Sequence, residues 1–553
     1  MNRNKTASQH NFAIIPKTDV PRSKFAMRQT RKQAFNASEL VPIMCEEVLP
    51  GDTWAHTESI MARLATPIAP AVDDIDLETW YFFVPNRIVL HQWEDFITGK
   101  RTNYTLPGVA PTNATATDKI CKLNGVFDHF GILPQTYTNY TYFNALPLMG
   151  YFKIFNEWFR DENLQNMWTY QGQEIPGYND IVDGYSNGFN NGAAWDQSCL
   201  RLNKRSDYFT RALPWPQKGA AVSIPLGTTA PVTSNGFPPV FWDNVNALEA
   251  KSLQVGAGAT AINQTAAATA GHQLYFYQQA TGLQVDLSAA TAATINSLRL
   301  AMATQQLLEK DARGGSRYVE TLLVHFGVRA PDFRLQRPEY LGGSKIPITV
   351  NPIAQTATFD GGAGGTDPLA LGNLGAEMHA SGHAKTFTYA ATEHGYIIGL
   401  CAVRATPTYQ QGTRKHWKRT ARLDFAWPTL ANLGEQAVNT TEIFQPANNT
   451  PANTTWGYQE RYAEYRYTPN EITGVLRSTA PAPLDWWHYA EEFAAEPALN
   501  STFITDKTQE TLARSLAVQT ENNWSAQIIM DVLHDSQVAR LMPAYSVPGL
   551  TRF

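Results

Sequence analysis

Charge is scarce in this chain. Of its 553 residues only 17% are Asp, Glu, Lys or Arg, against about 25% in ordinary soluble domains. Cysteine is scarcer still. Cys45, Cys121, Cys199 and Cys401 form no C-x-x-C pair and have no nearby Cys or His at zinc spacing. That excludes a zinc ribbon and a disulfide-stapled scaffold, and it suits a reducing compartment. The four read as small buried hydrophobes. No run of eighteen apolar residues occurs, so no transmembrane helix and no membrane insertion are expected. The first thirty residues lack the apolar core of a secretory signal.

Catalytic signatures are missing as well. Gly342-Gly343-Ser344-Lys345 has the wrong spacing for a phosphate loop, and neither H-E-x-x-H nor a G-x-S-x-G elbow is present. The twelve histidines are dispersed, and His325, inside an apolar run, reads as structural. Glu46 and Glu47 are adjacent and so point in different directions, which suits a turn or an interface better than paired acid–base work. No catalytic residue, metal or cofactor is assigned.

What the chain does have is aromatic bulk: 14 Trp, 23 Tyr and 26 Phe within a 43% hydrophobic composition. Such a chain buries a large core, and it suits large interfaces, where aromatics are favoured and charge is depleted. The charge it does carry is uneven. Residues 1–36 hold eight cations and one acid, Asp19, although the whole chain has a net charge of −5. This stretch shows no clear hydrophobic period and reads as a basic N-terminal arm, with Arg22, Lys24, Arg28, Arg31 and Lys32 as candidate phosphate contacts. A second cluster gathers Arg404, Arg414, Lys415, Lys418, Arg419 and Arg422 around His416 and Trp417, with no acid between its ends. Cations interleaved with an aromatic are what single-strand binding uses. Here Arg414, Lys415, Lys418 and Arg419 are the candidates.

Most of the remaining chain reads as short strands between Pro- and Gly-rich loops. Leu77–Val84 is aromatic and β-favouring and stops at Pro85. Tyr396–Val403 is a continuous apolar run, fit for a strand buried on both faces. Arg461–Tyr467 alternates roughly and reads as a further strand. Two helices are expected, over Leu146–Leu164 and Ala292–Ala312, the second stopped by Gly314-Gly315. Trp486-Trp487-His488-Tyr489 reads as a packed aromatic anchor. The stretch 226–290 has four charged residues in 65 and reads as an exposed insertion, and Asp360–Gly365 as a loop. Leu307–Ile348 packs a helix end, glycines, arginines and X-Pro stops into about forty residues. It is suited to fixing the chain against neighbours, with Gly314, Gly315, Arg317, Arg337 and Pro338 setting the turn geometry.

Several blocks together resemble one family. They include LVPIMCEEVLPGDTW from Leu40, TWYFFVPNRIVLHQWEDFITG from Thr79, LPWPQKG from Leu213 and the segment from Asp311 to Gly343. They continue with AVRATPTYQQG from Ala402, DFAWPTLANLGEQAV from Asp424 and YQERYAEYRYTPNEITGVLRS from Tyr458. In this order they resemble the major capsid proteins of microviruses (Microviridae), closest to the gokushovirus-like single-stranded DNA bacteriophages. The resemblance implies a mainly β fold, an eight-stranded antiparallel jelly roll of viral capsid type with long inserted loops and a few helices. Residues 37–553 would form that single domain, with 226–290 as a variable surface insertion. It further implies a homo-oligomer, a sixty-copy T=1 icosahedral shell around a circular single-stranded DNA genome. Small basic packaging, scaffolding or minor virion proteins and a host surface receptor would be its other partners. Its place would be the virion, assembled in the host bacterial cytoplasm. The rival readings are a glycan-binding or glycan-hydrolysing β-sandwich protein, suggested by the Trp count, and a plain single-strand binding module.

Overall fold

A computed structural model describes residues 21–100, 119–137, 143–170, 196–222, 295–315, 317–356, 372, 374–446, 454–517 and 526–545, plus short strands at 108–109, 189–190, 232–234, 240–243, 251–255, 262–264, 274–276 and 283–285. Nine strands build its two main sheets: β1 (Arg22–Phe35), β2 (Val41–Val48), β3 (Thr53–Leu64), β4 (Ile75–Pro85), β5 (Glu339–Pro347), β6 (Thr349–Ala354), β7 (Leu374–Ala390), β8 (Gly395–Ala405) and β9 (Ile528–Leu541). One sheet runs β1-β9-β3-β7-β6 and the other β5-β4-β8-β2. Every neighbouring pair within them is antiparallel. The mainly β, antiparallel architecture is that of a capsid jelly roll. Its main sheets hold five and four strands where eight in all were expected.

The period of two explains how the sheets meet. Along β3, Trp54, His56, Glu58, Ile60, Ala62 and Leu64 are buried, while the residues between them are more exposed. These inward side chains face β4 and β5. The Glu58 carboxylate accepts hydrogen bonds from Thr79 Oγ1 (3.0 Å), Tyr81 OH (2.7 Å) and Ser344 Oγ (2.5 Å). A buried carboxylate is tolerable only when its oxygens are satisfied in this way. Beside it the His56 ring lies 4.9 Å from Tyr81 and 5.3 Å from His534. His534 Nε2 donates to the Ile43 carbonyl at 3.0 Å, and His56 Nδ1 bonds Ser536 Oγ at 2.8 Å. Burial holds His56 down to about 3 and His534 to about 4, from an ordinary value of 6.5, so both rings sit neutral between the sheets.

The four-stranded sheet is buried on both faces, which accounts for the unbroken apolar run of β8. Its far face is covered by α1 (Leu146–Ile154), nearly all of which is buried. Gly150 lets this helix approach: a Cβ there would lie 2.9 Å from Ile398. Tyr151 locks the layer by donating to the Leu40 carbonyl (2.8 Å) and accepting from the Leu200 amide (2.9 Å). The helix continues as one π-helical turn, Phe155–Phe159, and stops short of Leu164.

Two expectations change. The basic stretch is not an arm throughout. Residues 22–35 form β1, the edge strand paired along its whole length with β9. Its outward positions are polar and basic, which hid the alternation; the inward ones include Phe25, Met27 and Phe35. Residues 1–20 lie outside the described residues. Arg461–Tyr467 is not a strand. Tyr462 takes a left-handed φ of 61° and Ala463–Tyr465 is a 3-10 turn, so the strand ends earlier, at Glu460. A separate compact unit spans Gln217–Ala312 and includes the stretch 226–290. Among its described residues, four short strands (Val240–Asp243, Lys251–Val255, Ile262–Gln264 and Leu274–Phe276) form one small sheet. Asp360–Gly365 lies outside the described residues.

Candidate assembly and nucleic-acid surfaces

The arm's cations divide by strand period. Arg22, Lys24, Arg28 and Lys32 occupy alternate positions and share the exposed face of β1, whereas Arg31 turns to the other side and is half-buried. Burial lowers the Arg31 pKa from its usual value, against the attraction of Cys45 and Glu46. On the open face Arg28 lies 3.4 Å from Asp535 and Lys32 lies 3.3 Å from Asp531, both pairs well exposed. Such bridges hold their partners weakly. Arg22 donates to the Gly51 carbonyl (2.5 Å) and to Thr53 Oγ1 (2.6 Å). The face thus presents these four cations beside the carboxylates of Asp531 and Asp535, with Arg22 and Lys24 about 7 Å apart along the strand and Lys24, Arg28 and Lys32 at successive steps of about 13 Å.

The second cluster has a different fate. Arg404 pairs with Glu78, Arg414 with Glu471, Lys415 with Glu442 and Arg419 with Glu464. None of these acids lies between Arg404 and Arg422 in sequence, so the stretch looked acid-free while the fold brings carboxylates to it. Lys418 donates to Gln445 at 3.4 Å, and burial lowers its pKa. The cluster lines a cavity of about 210 Å³ with Tyr208, Tyr409, Tyr465 and Tyr467. Arg419 stacks 4.4 Å from the Tyr465 ring centre. The result is a neutralised, aromatic-walled pocket and not an open basic groove.

The five turn residues converge on one feature. Helix α2 (Ile295–Gly314) ends before Gly315, which has a φ of 89°, a left-handed conformation that a side chain strains. A Cβ on Gly315 would also overlap the Glu320 carboxylate, and one on Gly314 would meet Val324 at 2.8 Å. The Glu320 pKa is raised by burial first and by Glu162 second. Arg317 donates to the carbonyls of Asn156 (3.2 Å) and Arg160 (2.7 Å), carbonyls at a helix end that lack partners of their own. Arg337 pairs with Asp332 at 2.8 Å and lies 4.3 Å over the Trp158 ring, while Trp158 Nε1 donates to the Pro338 carbonyl at 3.0 Å. Both stems of the segment 317–338 are therefore fastened to the same turn, Asn156–Arg160. Trp158, an anchor on that turn, carried no signal in the sequence. Helix α3 (Tyr318–Phe326) lies between the stems and has no buried residue.

Among the described residues no group of three or more His, Cys, Asp or Glu is placed to hold a metal, and no helix is long and apolar enough to cross a membrane. The Trp486–Tyr489 stretch packs inward, with His488 and Tyr489 buried.

The comparisons with known proteins agree along the whole chain. The family model described as capsid protein (F protein) matches residues 13–550. Capsid protein VP1 of Bdellovibrio phage phiMH2K is 41% identical over 562 aligned residues, covering 98% of each chain. Capsid protein VP1 of Chlamydia phage 1 is 37% identical and covers 98% of each chain. Capsid protein VP1 of Spiroplasma virus 4 is 34% identical, covering 99% of this chain and 98% of the relative. With an antiparallel sandwich and end-to-end similarity to phage capsid proteins, this chain belongs to the capsid protein (F protein) family of the microviruses, as a structural and non-enzymatic major capsid protein.

Proposed function

We propose that this capsid protein closes into a sixty-copy, T=1 icosahedral shell around a circular single-stranded DNA genome, assembled in the cytoplasm of a host bacterium. The observation that carries the reading is the near-complete overlap with three phage capsid proteins, with 98% or more of this chain aligned to each. Low charge and abundant aromatics suit a molecule whose surface is largely contact. The exposed face of β1, with Arg22, Lys24, Arg28 and Lys32, contacts the phosphates by non-sequence-specific electrostatics. Small basic packaging, scaffolding or minor virion proteins serve the rest of the genome and the assembly path. The separate unit Gln217–Ala312 is the surface offered to the host receptor.

Negative-stain microscopy and light scattering of the purified protein test the shell: uniform closed particles are expected, and only monomers or small oligomers under every condition would end the reading. Filter binding of a single-stranded oligonucleotide across a salt series tests the DNA face. Affinity that does not fall with salt would remove it.

A further inference from the structure

We propose that the bare apolar face of α3 is a docking surface for a second copy of this chain; the inference rests on the capsid reading and assigns it a contact. At 100° per residue, Tyr318, Val319, Leu322, Leu323 and Phe326 fall within about 140° of the helix circumference. Tyr318 is 68% exposed, Leu323 47% and Phe326 72%. On the opposite side Val324 packs toward Gly314, though still 39% exposed, and Glu320 turns to Gly315. Val319 and Leu322 are half-buried, and a helix with Tyr318, Leu323 and Phe326 standing open on one apolar side is the arrangement of a surface awaiting cover.

Two features favour another copy as the cover. Val328 and Phe333 extend the patch, both more than half exposed. Together with the α3 stripe they offer on the order of 500 Å² of apolar area, given ~150–250 Å² per aromatic side chain. A stable interface needs ~800 Å² per partner, so the patch is most of one half. The same compact unit carries a second bare apolar run, with Trp417 at 76%, Leu423 at 66%, Phe425 at 51% and Leu433 at 63% exposure. Two unlike apolar patches on one chain supply both halves of a head-to-tail contact, the kind that closes into rings and shells. The stripe itself carries no charge, which suits protein and not a phosphate backbone. Its stems, fixed by Arg317 at one end and by Arg337 and Pro338 at the other on Asn156–Arg160, hold the helix ready, so little ordering entropy is lost on docking.

The test uses the full chain. Phe326→Asp is expected to lower particle yield at least tenfold in light scattering and microscopy, while the soluble subunit keeps the wild-type circular dichroism and melting temperature. Particle yield equal to wild type overturns the inference and leaves the capsid reading standing. Should Phe326→Asp misfold, Phe326→Cys decides the matter through maleimide labelling: at least tenfold slower reaction in closed empty shells than in dissociated subunits is expected. Equal rates overturn the inference, as does protection that appears only with packaged DNA or with an added second virion protein. Failure of the unmodified protein to form any particle would instead strike the capsid reading itself.

Discussion

Two stretches of this chain look alike in sequence and behave oppositely in the fold. Residues 22–32 and 404–422 are both rich in Arg and Lys and nearly free of acid. On β1 the alternation of a strand sets four cations on an exposed face, where Asp531 and Asp535 of β9 pair with Lys32 and Arg28. At 404–422 four cations pair with carboxylates from distant positions, Glu442, Glu464, Glu471 and a Glu78 shared with Arg205. Local charge density is therefore a poor guide to an open basic surface. What decides is whether distant acids fold back onto the cluster.

Breaking the neutralised cluster is expected to have the largest effect. Arg419 is 9% and Glu464 13% exposed at the side chain, so Arg419→Ala strands a buried carboxylate and is expected to cost about 3–5 kcal/mol in denaturant unfolding. Wild-type stability would show that solvent already carries these charges and that the two clusters are alike. Acid is the next lever, on the buried histidines that neither cluster contains. Their folded pKa values, about 3 for His56 and about 4 for His534, lie below the ordinary 6.5, so between these limits the unfolded chain binds more protons. Stability is then full above about 6.5 and declines as pH falls toward 4. A thermal melt series from pH 7 to pH 4 is expected to show this fall, and His534→Gln should flatten it.

Gly315→Ala comes third. It combines left-handed backbone with overlap on Glu320 and is expected to cost about 1–3 kcal/mol and to reduce particle yield. Normal yield with an unchanged melting curve would mean that the turn yields freely. The smallest stability effect belongs to the β1 face. Replacing Arg22, Lys24, Arg28 and Lys32 by Gln should move unfolding by only ~0.5 kcal/mol per site. The same change should flatten the salt dependence of oligonucleotide binding by as much as ~0.7 logarithmic unit per lost contact. The matching substitution of Arg414, Lys415 and Arg419 should do the reverse, with a large loss of stability and little change in the salt slope.

Much of this architecture was legible in the residues. The apolar run Tyr396–Val403 signalled a strand covered on both faces, and α1 supplies the second cover. Gly314-Gly315 marked a helix end because only a left-handed residue continues the chain there. The β1 strand was hidden, since one face is polar and the other mixes Phe25 and Met27 with Gln29, Arg31 and Gln33, leaving no clean alternation. Arg461–Tyr467 misled in the opposite sense: its tyrosines alternate, but Tyr462 turns left-handed and donates its amide to Gln436 Oε1 at 3.2 Å. The fastening of Arg317 and Pro338 to one turn was illegible, because Asn156–Arg160 lies far away in sequence and nothing in Trp158 alone announces its partners.

One strand of the sandwich has a consequence for how the protein is made. β9, residues 528–541, sits between β1 and β3 in its sheet. Until the ribosome has released residue 541, that sheet lacks an inner member and β1 has no strand beside it. A half-finished chain therefore cannot present the completed wall of this sheet.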